Sequence, residues 1–91
     1  MTHSTRLVVM YQGECNNSLN EQIKEITKIH LDFYTDSKFE LVTYDKDSDT
    51  SYLKFRLANP LHHEEAQLVA ESIEIDTNTQ VFYQKYEIEL N

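Results

Sequence analysis

One run of residues restricts the fold more than any other feature: between positions 52 and 57, every second side chain is apolar. The apolar members are Leu53, Phe55 and Leu57. The members between them are Tyr52, Lys54 and Arg56. An extended strand points successive side chains to opposite faces, so this period indicates a strand with one face in a core and the other in water. The chain is therefore expected to build a sheet that is covered on one side.

Three further segments predict strands. Residues 5–12 form a near-continuous apolar run, which is typical of a central strand. Residues 39–44 form another, separated from the alternating strand by short polar residues at 45–50 that favour a turn. Residues 80–90 form the last strand. Its apolar residues on one side are Phe82, Tyr86, Ile88 and Leu90.

Two segments have the period of amphipathic helices. Ser18 and Glu21 have the spacing of a capping box, which predicts a helix start at Ser18. The apolar face of this helix is predicted to hold Leu19, Ile23, Ile26, His30 and Phe33. In the second segment, Asn59 followed by Pro60 predicts a helix start. Its buried stripe is predicted to be Ala66, Val69, Ala70 and Ile73.

The resulting order is β-α-β-β-α-β, which resembles the ferredoxin-like sandwich, an α+β fold. That resemblance implies a four-stranded antiparallel sheet with two helices on one face. The chain of 91 residues is expected to form a single domain over residues 1–91, with one Gly and one Pro to interrupt it. The alternative is another α+β arrangement in which the last strand pairs elsewhere.

Charge narrows the range of expected partners. The net charge is -8, and the C-terminal part, residues 57–91, has Lys85 as its single basic residue. Such a field repels phosphate backbones and anionic lipid, so we expect neither nucleic acid nor membrane as a direct partner. The expected partner is a protein with a basic surface. The single cysteine, Cys15, and the lack of a secretory leader or a long apolar run favour the cytoplasm.

Two oxygen- and nitrogen-rich clusters suggest metal binding, and neither meets the requirements. Asp45, Asp47 and Asp49 have the spacing of the first calcium ligands in an EF-hand loop, but Thr50 replaces the required Gly and Arg56 the required Glu. His62 and His63 are adjacent and diverge on a helix, and a third ligand cannot be named. We therefore predict no metal and no cofactor.

Cys15 is the one candidate nucleophile, because it precedes the first predicted helix. A catalytic thiol needs a base and a group that orients the base, and the sequence names neither. Its neighbour is Glu14, so the sequence does not provide the electropositive setting of a reactive thiol. The sequence therefore predicts a protein that is not an enzyme.

The first functional hypothesis uses the outer face of the second helix. We expect Glu64, Glu71, Glu74 and Asp76 to bind a basic surface through charge. This predicts a small, acidic, non-catalytic protein-binding module. In its sharper form, the module is an inhibitor, an antagonist or immunity-type protein that occupies a basic site on a nucleic-acid-handling protein.

The second hypothesis uses the uncovered face of the sheet. The residues expected there are Tyr44, Tyr52, Lys54, Arg56 and Tyr83, with Lys85 and Val42 beside them. Tyr and Arg are enriched at the energetic centres of interfaces, so this face favours contact with another molecule. It would make the protein a homodimer that senses or carries a small ligand.

Overall fold

The computed structural model describes residues 2–90, and the side chains of residues 4–87. The six elements follow the predicted order. Strand β1 spans Thr2–Gln12, helix α1 Asn17–Leu31 and strand β2 Ser37–Asp45. Strand β3 spans Thr50–Leu57, helix α2 His63–Thr77 and strand β4 Phe82–Leu90.

The four strands form one antiparallel sheet in the order β2-β3-β1-β4. Residues of both helices pack with alternate residues of β1 and β3 in one core, so the helices cover the same side of the sheet. The fold is the ferredoxin-like sandwich that the element order predicts. The last strand pairs with β1, which rules out the alternative topology.

The alternating strand behaves as the sequence predicts. Leu53, Phe55 and Leu57 are buried, and the residues between them are partly exposed. The predicted stripe of α2 is also confirmed: Ala66, Val69, Ala70 and Ile73 are all buried. Apolar residues of β1 complete the core from the centre of the sheet. They are Leu7, Val9 and Tyr11.

Helix α1 differs from its prediction in both its start and its buried face. Its N-cap is Asn16, whose Oδ1 accepts a hydrogen bond from the backbone of Leu19, so the predicted capping box at Ser18 is wrong. The fully buried residues of α1 are Asn20, Ile23, Thr27 and Leu31. Of the predicted face, Ile23 is therefore confirmed, and Leu19 and Ile26 pack partly buried against the core. Phe33 lies beyond the helix and is 79% exposed.

Tyr11 explains this rotation of α1. Its buried hydroxyl donates to Asn20 Oδ1 at 2.6 Å and accepts from the backbone N–H of Asn16 at 3.0 Å. A buried polar group needs a partner, so these bonds hold the first turn of the helix against β1 with Asn20 inward. Sequence periodicity ranks Asn20 as a surface residue and cannot detect this contact.

Helix α2 begins three residues later than Pro60 predicts. Its N-cap is His62, whose backbone N–H donates to Glu65 Oε1 at 3.0 Å. The segment before it is tied down elsewhere, because Leu61 is buried in the core and Asn59 donates its N–H to Thr35 Oγ1. These contacts fix the segment before the helix and delay the start of α2.

Strand β2 contains a β-bulge. Phe39 lies opposite Phe55, but Leu41, two residues later, lies opposite Lys54, so Glu40 is the additional residue. A bulge of this kind moves every residue that follows it in the strand to the opposite face of the sheet.

None of the helices between residues 2 and 90 is long and apolar enough to cross a membrane.

Replacing Tyr11 by Phe should lower the free energy of unfolding by about 1–3 kcal/mol, because Asn20 is left buried without its donor. Urea unfolding followed by circular dichroism measures the change. The matched control is Tyr34→Phe at an exposed position, which we expect to change stability by less than about 0.5 kcal/mol. Equal effects at the two positions would contradict the role given to the Tyr11 hydroxyl.

Candidate functional surfaces

The side of the sheet away from the helices, here called the open face, follows from the strand register, because directly opposed residues share a face. Strands β1 and β3 contribute Arg6, Val8, Met10, Tyr52, Lys54 and Arg56. Strand β2 contributes Lys38, Glu40, Leu41, Thr43 and, at its end, Asp45. Strand β4 contributes Phe82, Gln84 and Tyr86. The predicted positions of Tyr52, Lys54 and Arg56 agree with this placement.

Tyr83 and Lys85 do not lie on the open face, contrary to the prediction. They are paired with Val9 and Leu7, which point toward the helices, and Tyr83 packs against the core. Strand β4 is an edge strand, so its apolar side chains do not mark its covered side. Phe82 and Tyr86, opposite Met10 and Arg6, are the aromatic residues that β4 supplies to the open face.

Tyr44 and Val42 are also misplaced by the sequence, and the bulge is the reason. Beyond Glu40 the alternation is inverted, so Val42 pairs with Leu53 and Tyr44 with Ser51, both on the helix side. Without the bulge, both residues would occupy the open face. No residue pattern in β2 signals the irregularity.

A polar network crosses the open face from edge to edge. Glu40 Oε1 accepts from Arg6 Nε at 2.8 Å, and its Oε2 lies 3.1 Å from Arg56 Nη2. Arg6 in turn donates to the Tyr86 hydroxyl at 3.3 Å. The bonds from Tyr86 and Glu40 raise the pKa of the Arg6 guanidinium above its already high ordinary value. One residue from each strand takes part, so the network links all four.

A shallow groove of about 290 Å³ runs along the open face beside this network. Its lining consists of Val8, Thr43, Tyr44, Asp45, Tyr52, Lys54, Gln84 and Tyr86. Tyr44 therefore borders the groove even though its position in the strand register is on the helix side. Val8 is only 4% exposed, so it forms an apolar floor in the central strand.

The sign of the charge on the open face is opposite to that of the whole chain. The open face holds the cations Arg6, Lys38, Lys54 and Arg56 against the carboxylates of Glu40 and Asp45.

The outward surface of α2 has an apolar centre that the sequence analysis missed. Glu64, Leu68, Glu71 and Ile75 follow one another at the spacing of one helix face. Leu68 is 51% exposed and Ile75 is 80% exposed. This set of four residues is here called the α2 ridge. An acidic stripe was expected, and the exposed leucine and isoleucine within it are the overlooked signal.

The other two predicted partner-binding acids, Glu74 and Asp76, are not part of the ridge. Glu74 is partly buried and borders a groove between α2 and β4 that Phe82 and Tyr83 also line. Asp76 is exposed but follows Glu74 by two positions, which places the two on roughly opposite sides of the helix. Asp76 therefore does not share a surface with the other three.

The adjacent histidines are not brought together as ligands. His63 Nδ1 lies 2.8 Å from the Tyr83 hydroxyl, and the two rings are 5.7 Å apart. His62 caps the helix through its backbone. No group of three or more His, Cys, Asp or Glu side chains converges as a potential metal site in the part of the chain that the structure describes.

Cys15 lies exposed in the loop before α1. Its Sγ is 3.4 Å from the Ser51 hydroxyl, which also donates to the Gly13 carbonyl at 2.8 Å. A serine hydroxyl is not a general base at neutral pH. This contact therefore does not supply the base that a thiol nucleophile requires.

The acidic residues between β2 and β3 are engaged in the turn itself. Asp45 accepts from the backbone of Asp47 and from the Ser48 hydroxyl. Asp49 adopts a left-handed conformation with φ of 50° and accepts from the Tyr44 hydroxyl at 2.5 Å. This hydrogen bond raises the pKa of Tyr44 to about 12.

Comparisons with known proteins agree with the fold. Among solved structures, the chain is similar to SCO4226 from Streptomyces coelicolor A3(2), with 17% identity and a TM-score of 0.51, over 94% of this chain and 98% of that one. It is similar to protein YJCS, with 8% identity and a TM-score of 0.53, over 99% and 100% of the two chains.

The de novo designed LFR1 1, which has a ferredoxin fold, is similar over 100% of this chain and 89% of its own, with 17% identity and a TM-score of 0.52. No protein-family model and no curated protein matches the sequence. Likeness at such low identity establishes the architecture alone, because one fold hosts many functions.

Replacing Glu40 by Gln should lower the free energy of unfolding by about 1–2 kcal/mol, because two facing arginines lose their shared carboxylate. Urea unfolding measures the loss. The control Glu21→Gln removes an exposed carboxylate that pairs with Lys24, and we expect a change below about 0.5 kcal/mol. A Glu40 variant no less stable than the control would contradict the proposed role of the network.

The Tyr44 hydroxyl should lose its proton at a higher pH than an ordinary tyrosine does. Because the folded pKa of Tyr44 is raised from 10.0 to about 12, its hydrogen bond stabilises the fold fully below pH 10. That contribution to stability is lost as the pH rises through the pKa that Tyr44 has in the folded protein. Tyrosinate absorbance should show the late step in the wild type and lose it in Tyr44→Phe. In Asp49→Gly, which tolerates the left-handed backbone, Tyr44 should titrate near its ordinary value. A late step that persists in both variants would contradict the assignment.

Proposed function

We propose that this protein is a small, non-catalytic protein-binding module that docks through the α2 ridge onto a basic surface of its partner. The observation that carries the proposal is the exposure of Leu68 and Ile75, which alternate with Glu64 and Glu71 along one face of the helix. An apolar centre surrounded by charge is the usual arrangement of a protein interface.

The apolar pair supplies affinity. Burying a large aliphatic side chain contributes about 1.5–3 kcal/mol relative to leaving it exposed. Leu68 and Ile75 are already more than half exposed on a folded helix, so a partner can cover them without unfolding any part of α2. A preformed surface of this kind avoids the entropic cost of ordering a loop.

The carboxylates supply orientation and selectivity. The sequence has no Lys or Arg between Leu57 and Lys85, so nothing on α2 neutralises Glu64 and Glu71. Complementary charge accelerates association and disfavours partners of the same sign. Glu74 borders the ridge and would contribute at its edge, whereas Asp76 lies outside it.

We place this interaction in the cytoplasm, in keeping with the single cysteine. In the more specific form of the proposal, the protein is an antagonist or immunity-type protein, and the basic surface belongs to a nucleic-acid-handling protein. Acidic groups on a rigid helix can occupy a site that otherwise receives phosphates.

The second candidate function is a homodimer that uses the open face to sense or carry a small ligand. Exposed Phe82, Leu41 and Tyr86 on that face favour coverage by another molecule. A two-fold pairing would, however, bring Arg6, Lys54 and their neighbours against a second copy of themselves. Like charges at close range are unfavourable, so we rank this candidate below the α2 ridge.

The test is affinity capture from the native host, followed by mass spectrometry and direct titration of the recovered partner. We expect Glu64→Lys/Glu71→Lys to reduce affinity by at least about tenfold and to flatten its salt dependence. Leu68→Ser/Ile75→Ser should reduce affinity without changing the salt dependence.

The matched control is Glu25→Lys/Asp47→Lys, which makes the same change in net charge at exposed positions outside α2. This variant should bind as the wild type does. If the control and the ridge variants bound equally well, with equal salt dependence, the proposal would be wrong.

A further inference from the structure

We propose that the groove on the open face binds a small aromatic carboxylate, with Lys54 as the group that receives the anion. This site is independent of the α2 ridge, because it lies on the opposite side of the molecule.

The open face concentrates cations in a chain that is otherwise acidic. It carries twice as many basic as acidic residues, whereas the whole chain has 16 acidic and 8 basic residues. Within a molecule of net charge -8, the open face is therefore the part of the sheet that attracts an anion.

Lys54 is the cation best placed to act. Arg6 and Arg56 are both occupied by Glu40. Within the described part of the chain, Lys54 has no carboxylate within salt-bridge distance, although it lies at the centre of the sheet and is partly buried. Asp45 lines the same groove, but its two oxygens already accept from the turn residues Asp47 and Ser48.

The groove surrounding Lys54 suits a ring. Val8 forms an apolar floor between Lys54 and Gln84, and the aromatic residues Tyr52 and Tyr86 also line the groove. The volume of about 290 Å³ is at the lower limit of small-molecule pockets, which favours a compact ligand. A planar ring can rest on the floor and the tyrosines while its carboxylate meets the ammonium group.

A larger cavity of about 450 Å³ between α1 and β2 does not offer the same chemistry. Its cations are already paired, Lys24 with Glu21 and Lys28 with Asp32. Lys24 also covers the ring of Phe39, with 4.4 Å between the ammonium and the ring centre. An anion entering there would have to displace existing contacts.

The experiment compares naphthoate with naphthamide, a neutral probe of nearly the same shape, by backbone amide NMR titration of the wild-type protein. We expect naphthoate to bind saturably, with the largest shifts at Tyr52, Lys54 and Gln84. We expect naphthamide to bind about fivefold more weakly, which corresponds to the loss of one partly exposed charge pair.

Two variants and one control complete the design. Lys54→Met keeps the length of the side chain and should reduce naphthoate affinity by about fivefold. Gln84→Glu should weaken naphthoate and leave naphthamide unchanged, which keeps the test valid if Lys54→Met fails to fold. Lys85→Met, an exposed lysine on the helix side of β4, should have no effect on either probe.

Equal affinity for the two probes would overturn the proposal. So would shifts confined to the cavity between α1 and β2, or a naphthoate affinity indifferent to both groove variants. Sedimentation showing a dimer that buries the open face and excludes naphthoate would also overturn it. None of these outcomes bears on partner capture by the α2 ridge, so the two proposals fail separately.

Discussion

The β-bulge at Glu40 is the constraint on which the open face depends. Arg6 and Arg56 lie directly opposite one another on adjacent strands, an arrangement of like charges that is unfavourable without compensation. The bulge places one carboxylate so that it contacts both guanidinium groups, and Arg6 extends the contact to the far edge strand through Tyr86. A single inserted residue thereby ties the four strands together on the side that has no helices to cover it.

The α2 ridge and the open face consequently carry opposite charge. The ridge presents two carboxylates beside Leu68 and Ile75, and the open face presents amines and guanidinium groups around tyrosines. This separation of charge suits the two proposed binding sites to chemically different molecules. It also disfavours a symmetric pairing through either surface, because each surface would meet its own charge.

Much of the architecture is readable in the sequence, because the period of β3 and the apolar stripe of α2 are local patterns. What the sequence does not disclose depends on contacts between distant residues. The inward rotation of α1 follows from the hydroxyl of Tyr11, and the late start of α2 follows from the burial of Leu61. The faces of Tyr44 and Tyr83 depend on an unsignalled bulge and on the register of an edge strand, so four of the seven residues predicted on the open face pair on the helix side.

The irregular strand β2 has a further consequence for behaviour at high concentration. A flat, regular edge is a template on which another chain can add by backbone hydrogen bonding, and a bulge with a neighbouring lysine interrupts that template. Strand β2 is protected in this way by Glu40 and Lys38. The opposite edge, β4, runs for nine residues with Lys85 near its middle. On that edge, the exposed charges of Lys85 and Glu87 are what disfavours the addition of another strand, because β4 has no bulge to interrupt its backbone.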